Sequence, residues 1–126
     1  MNKLIHNPKF ESTTIKNVTP VRILFTEEFT KIDFCFDHTK IKLIENMHIN
    51  INADIYLETG NKKYRQLKAT TYDVSYFTKE SDYRYFSVFF EHFKAEDISP
   101  FDIVDDSRHS DIKNRTYHFS FTGIKI

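Results

Sequence analysis

The stretch of this 126-residue sequence that is richest in chemically active groups is an acidic segment near its C-terminal end. Carboxylate oxygens suit calcium or magnesium, and a nearby histidine could complete such a site. The spacing of a calcium-binding loop with its central glycine is absent, so the simpler interpretation is a solvated acidic loop. The residues concerned are Asp102, Asp105, Asp106, Arg108, His109 and Asp111.

Cys35, the single cysteine, could form a nucleophile pair with a distant histidine. It lies between Phe34 and Phe36 in an alternating pattern, whereas reactive thiols need exposed, electropositive surroundings. This predicts a half-buried structural thiol. No histidine pair stands at a zinc-motif spacing with a cysteine, and the six histidines are His6, His38, His48, His92, His109 and His118. We therefore predict a protein that is not an enzyme and that uses no metal and no cofactor.

Aromatic residues concentrate in the middle of the chain, close to several basic ones. Aromatic and basic side chains together can stack on bases or sugars, but Asp73, Glu80 and Asp82 interrupt the positive charge. Tyrosine and arginine are also enriched in protein–protein hot spots. We predict a contact face for a protein partner or a second copy of the chain, and ordinary outer-face strand aromatics are the alternative. The predicted face comprises Tyr72, Tyr76, Phe77, Tyr83 and Tyr85, near Arg65, Lys68, Lys79 and Arg84.

The elements that must position these residues are strands. Residues 83–91 place Phe86, Val88 and Phe90 on one face, since strand side chains alternate sides. Similar alternation recurs between turns along the chain, without a convincing helix. The fold prediction is all-β, a two-sheet antiparallel immunoglobulin-like sandwich of about seven to nine strands. We expect an N-terminal arm over residues 1–16 and one domain over 17–126. The predicted buried core contains Phe34, Phe36, Val88, Phe90, Ile103 and Phe121.

Composition removes several classes of partner. The 18 basic and 18 acidic residues give a formal net charge of zero, which argues against a nucleic acid or an anionic membrane as the partner. No apolar run is long enough for a transmembrane helix, and the N-terminus shows no secretory signal. One cysteine fits a reducing compartment. A cytoplasmic location is therefore expected.

Three further patterns, taken in order, resemble a known family. They are Ile55–Glu58 with Gly60 and Tyr64, then Phe86–Phe93, then Phe101–Asp105 with Phe119–Ile124. They resemble an immunoglobulin-like β-sandwich module of bacterial proteins, which often sits beside thioredoxin-like or peptidase-like domains. The hairpin from Val21 to Phe36 is similar to the opening hairpin of that family. The resemblance spans residues 18–126 and implies a fold without an activity.

The functional prediction that follows is a non-enzymatic binding or assembly module that mediates protein–protein interaction. A sandwich that binds a small ligand or a carbohydrate is the alternative. An enzyme built on Cys35 or on the acidic loop is the third possibility.

Overall fold

The computed structural model describes residues 3–14, 18–37, 48–49, 55–70, 72–73, 83–94, 100–105 and 119–126. Within these ranges the chain forms strands joined by turns, and no helix occurs. The prediction of an all-β class is confirmed. The strands are β1 (Lys3–His6), β2 (Ser12–Thr13), β3 (Val18–Phe25), β4 (Phe29–Asp37), β5 (His48–Ile49), β6 (Ile55–Thr59), β7 (Lys62–Ala69), β8 (Tyr72–Asp73), β9 (Tyr83–Glu91), β10 (Phe101–Asp105) and β11 (Phe121–Ile124).

Nine of the described strands form one sheet in the order β1-β3-β4-β9-β7-β6-β10-β11-β2. Each described pairing in it is antiparallel. Residues 3–14, inside the stretch expected as an arm, supply β1 and β2 at the two ends of this order. Strands β5 and β8 pair with each other separately.

Alternation along the strands explains the core. In β9, Phe86, Val88 and Phe90 are buried, whereas Tyr85 is exposed and Phe89 is half-buried. The predicted bounds of this strand, residues 83–91, match those observed. The prediction that six named residues are buried is confirmed, because each is at most 1% exposed: Phe34, Phe36, Val88, Phe90, Ile103 and Phe121.

The sheet curls, so that strands far apart in its order meet through their apolar faces. The ring of Phe34 on β4 lies 4.9 Å from that of Phe119 and 5.4 Å from that of Phe121 on β11. Strand β7 joins the two halves: residues 62–65 pair with β6, and residues 66–69 pair with β9 across a register shift. Such irregularities bend a strand and increase its twist. The prediction was a two-sheet antiparallel sandwich. The structure shows the antiparallel strands, which form one curled sheet.

Both glycines take the left-handed conformation. Gly60, at φ 58°, lies in the tight turn between β6 and β7. Gly123, at φ 68°, lies where Thr122 and Gly123 together oppose Asp102, which makes a bulge in the strand pair. A side chain at Gly123 would place its Cβ 2.7 Å from Cγ of Glu11, so a larger residue would be strained in its backbone conformation and would have to displace the Glu11 side chain.

Candidate functional site

A row of polar residues crosses four strands on the outer face of the sheet. His6 on β1 lies opposite Arg22 on β3, Arg22 opposite Asp33 on β4, and Asp33 opposite Ser87 on β9. Asp33 points away from the core because its neighbours Ile32 and Phe34 point into it. Beyond Ser87, the backbone N–H of Thr70 donates to the carbonyl of Ser87 at 2.8 Å. The register thus aligns five polar residues along one line.

Asp33 is the centre of this row, and both of its carboxylate oxygens are engaged. Nε of Arg22 donates to Oδ2 at 2.7 Å, and the Ser87 hydroxyl donates to Oδ1 at 2.5 Å. Nζ of Lys31 lies 3.3 Å from Oδ1. The side chain of Asp33 is 9% exposed, whereas that of Arg22 is 48% exposed. Asp33 is therefore a buried counter-ion for partly exposed cations.

The electrostatics keep Asp33 ionised. Burial raises the pKa of its carboxyl, since a charged group is less well solvated inside the protein. Hydrogen bonds from Ser87 and Arg22, together with the positive charge of Lys31, lower the pKa by more than burial raises it. The net result is a pKa below the ordinary value of 3.8. A carboxylate that is saturated and stabilised in this way is a weak proton acceptor, so it is suited to holding Arg22 in place.

The row lines an open concavity of about 470 Å³. His6, Arg22, Lys31, Thr70 and Tyr85 contribute to its walls. The side chain of Tyr85 is 67% exposed. The concavity therefore combines cationic groups, hydroxyl groups and one exposed aromatic ring, an arrangement that can bind a polar molecule or the side chains of another protein.

The structure describes three of the five residues of the predicted contact face. Tyr85 lies at the concavity. The backbones of Tyr72 and Tyr83 belong to β8 and β9, while Tyr76 and Phe77 lie outside the described residues. Of the basic residues near this face, Arg65 pairs with Glu91 at 3.5 Å, and Nζ of Lys68 lies 4.6 Å from the ring centre of Phe89.

The described part of the acidic segment is used in backbone hydrogen bonds. Oδ1 of Asp102 accepts from the N–H of Gly123, and Oδ2 of Asp105 accepts from the N–H of Phe119, both at 2.8 Å. The rest of the segment, Asp106, Arg108, His109 and Asp111, lies outside the described residues. In the ranges that are described, no three His, Cys, Asp or Glu side chains come together in a way that could hold a metal ion.

Cys35 and the described histidines occupy separate places. Cys35 is half-buried, as predicted, and stands opposite Tyr85 in the ladder between β4 and β9. His6 lines the concavity. Nδ1 of His92 lies 2.5 Å from the carbonyl oxygen of Thr26, which links the end of β9 to the turn between β3 and β4.

The row of Arg22, Asp33 and Ser87 was not among the residues predicted from the sequence to form a site. One signal was present, since an aspartate stands between Ile32 and Phe34 in a strand whose inner face is apolar apart from Thr30. Strand alternation predicts that Asp33 lies on the outer face, but it does not predict which residues form hydrogen bonds with Asp33. The partner follows from the register, which pairs Arg22 with Asp33 and Asp33 with Ser87.

No protein-family model matches this chain, and neither a curated protein nor a solved structure shows significant similarity to it. None of the described residues forms a helix long and apolar enough to cross a lipid bilayer.

Proposed function

We propose that this chain is a non-enzymatic binding module that contacts a protein partner through the outer face of β3, β4 and β9. The observation that carries the proposal is Tyr85, which is 67% exposed at the rim of the concavity beside Arg22. Tyrosine and arginine are among the residue types most enriched in the hot spots that dominate protein–protein binding energy. The partner is a separate protein or a second copy of the chain.

A second aromatic feature on the same face supports this proposal. The ring of Phe89 lies 5.1 Å from that of Phe29, with Nζ of Lys68 at 4.6 Å and Nζ of Lys31 at 5.7 Å from its centre. Phe29 and Phe89 are half-buried although they lie outside the core. Lys31 also bonds to Asp33, so the aromatic pair and the concavity are contiguous. Partly exposed aromatics within a polar rim are typical of interface centres.

The non-enzymatic part of the proposal is supported by the bonding of the reactive side chains. Asp33 has both oxygens engaged, and Asp102 and Asp105 accept backbone hydrogen bonds. The thiol of Cys35 is half-buried within a strand. A general base must reach the proton that it removes, and these carboxylates are already committed to protein donors.

We also propose that the curled sheet is an immunoglobulin-like two-sheet sandwich, as in the bacterial modules that the sequence resembles. The support is the contact of Phe34 on β4 with Phe121 on β11, since inner faces that meet in this way are typical of sandwiches. A cytoplasmic location, without nucleic acid or membrane as partner, belongs to the same proposal. A single cysteine and a net charge of zero support it.

Binding of a small ligand or a carbohydrate is the second candidate. The observation in its favour is the volume of the concavity, about 470 Å³, which falls in the range of small-molecule sites. Protein binding is the better supported of the two because Tyr85 projects at the rim and the aromatic pair extends the face beyond the concavity.

Site-specific photo-crosslinking tests the protein-binding proposal. A photoreactive phenylalanine replaces Tyr85 in one variant and Thr122, which is exposed on β11, in the matched control. We expect one identified protein, or the chain itself, to crosslink from position 85 and not from position 122. The purified partner should then bind the Tyr85→Ala variant at least about tenfold more weakly than wild type. The Thr122→Ala variant should bind like wild type.

Equal crosslinking from both positions would contradict the proposal. So would equal affinity of the Tyr85→Ala variant and the wild-type protein for the purified partner. Sedimentation velocity of wild type over a range of concentrations distinguishes a second copy of the chain from a separate partner.

A further inference from the structure

We propose that the concavity beside Tyr85 binds a carboxylate group from an acidic segment of the partner, with Arg22 as its principal ligand. The inference rests on the proposed protein-binding function and names the chemistry that the site recognises. Three observations carry it: the fixed orientation of Arg22, the charge balance of the site and the composition of its walls.

Arg22 is held in place by a chain of contacts. Its Nε donates to Asp33, and Asp33 is held in turn by the Ser87 hydroxyl and by Lys31. Within the described residues, Asp33 is the partner of this guanidinium, which leaves the two Nη groups to bind something else. Arginine presents its N–H groups in a planar fork that matches a carboxylate. Asp33 is thus a positioning residue that orients the fork before a ligand arrives.

The charges of the site favour an anion with one negative charge. Arg22 and Lys31 contribute two positive charges and Asp33 one negative charge, so these three groups together carry one positive charge. A carboxylate balances this charge, whereas a phosphate monoester carries about −1.5 to −2 and overcompensates it. The low exposure of Asp33, 9%, means that its own charge is shielded from an incoming anion by Arg22 and Lys31.

The remaining walls suit a peptide that carries the carboxylate. The volume of about 470 Å³ exceeds that of one carboxyl group, and Val21 and Tyr85 provide apolar surface in the same concavity. His6 on β1 lies opposite Arg22 on β3 and is exposed. An acidic side chain on Arg22 would therefore place its neighbours against Tyr85 and Val21.

Titration followed by NMR tests the inference with defined probes. The probes are the N-acetyl methylamide of glutamate, the corresponding glutamine compound as the uncharged isostere, and methyl phosphate. The signals observed are the Nε–Hε resonance of Arg22 and the backbone amides of Thr70 and Ser87. We expect saturable shifts with the glutamate compound, weaker binding of methyl phosphate, and no saturable shift with the glutamine compound.

Matched arginine variants separate recognition from general charge. Arg22→Lys keeps the charge and a donor for Asp33 but removes the fork, so we expect about a fivefold or greater loss of affinity for the glutamate compound. Arg65→Lys is the control, because Arg65 pairs with Glu91 outside the concavity and is 78% exposed. It should bind like wild type. The amide spectra of both variants report whether the fold is retained.

Several results would overturn the inference: equal shifts with the glutamine compound, tighter binding of methyl phosphate, or unchanged affinity in a folded Arg22→Lys variant. If a partner crosslinks from position 85 but the glutamate compound does not bind, this inference alone is wrong. If the glutamate compound binds but no protein crosslinks, carboxylate recognition is supported and the protein-binding function is wrong.

Discussion

Replacing Phe34 and Phe121, singly and together, tests whether the two halves of the sheet pack on each other. Phe34 is fully buried on β4, and its ring lies 5.4 Å from Phe121 on β11. The two strands are separated in the sheet order by β9, β7, β6 and β10. Their contact therefore exists because the sheet curls, and an interaction energy between the two residues measures that curling.

The size of the substitution matters in this experiment. Truncating either phenylalanine to alanine costs about 3–5 kcal/mol, and two such losses approach the total stability of a domain, about 5–15 kcal/mol. Leucine keeps most of the apolar volume, so each single substitution should cost about 1–1.5 kcal/mol. The pair should then show a coupling of about 0.5–1.5 kcal/mol, the range for aromatic pairs beyond their buried area.

The measurement is the free energy of unfolding from denaturant titration of wild type, Phe34→Leu, Phe121→Leu and the double variant. A second cycle with Phe34→Leu and Phe25→Leu is the control, because the Phe25 ring packs against Phe93 instead. Its coupling should stay within about 0.5 kcal/mol. A coupling between Phe34 and Phe121 no larger than that of the control would refute the packing of β4 on β11.

Three further predictions concern single residues. Thr30→Val should raise the free energy of unfolding by about 1 kcal/mol, because the buried Thr30 hydroxyl has no hydrogen-bond partner among the described residues. The exposed Thr122→Val control should leave it unchanged. Asp33→Asn should lower the free energy of unfolding at neutral pH. The pKa of Asp33 is lower in the folded than in the unfolded state, so its contribution is complete above 3.8 and is lost as the pH falls through the folded pKa. The difference between wild type and variant should therefore shrink below about pH 4, and a constant difference down to pH 2 would disprove this origin. Cys35→Ser should retain the fold and partner binding, as thermal unfolding and affinity measurements can show. Loss of binding in a folded variant would contradict a purely structural role of the thiol.

Much of the fold could be predicted because strand alternation is local. The hairpin of β3 and β4 and the bounds of β9 follow from periodicity over a few residues. The burial of Phe34, Phe90 and Phe121 followed in the same way. Alternation also placed Tyr85 on the face opposite to the buried Phe86, and Tyr85 is exposed; its role in a contact face stays a prediction.

In β3, β4 and β9 the sequence by itself determined where the strand runs and which apolar side chains point inward, because each of these choices depends on near neighbours. The tertiary structure decided which residues meet. Asp33 reaches Arg22 across 11 residues of sequence and Ser87 across 54, and those pairings depend on the registers of two ladders. A shift of one residue in either register would turn the partner to the other face of the sheet. From the sequence, Asp33 could be predicted only as a polar residue on the outer face of a strand. The strand registers bring Arg22 and Ser87 to it and so make it the centre of the candidate site.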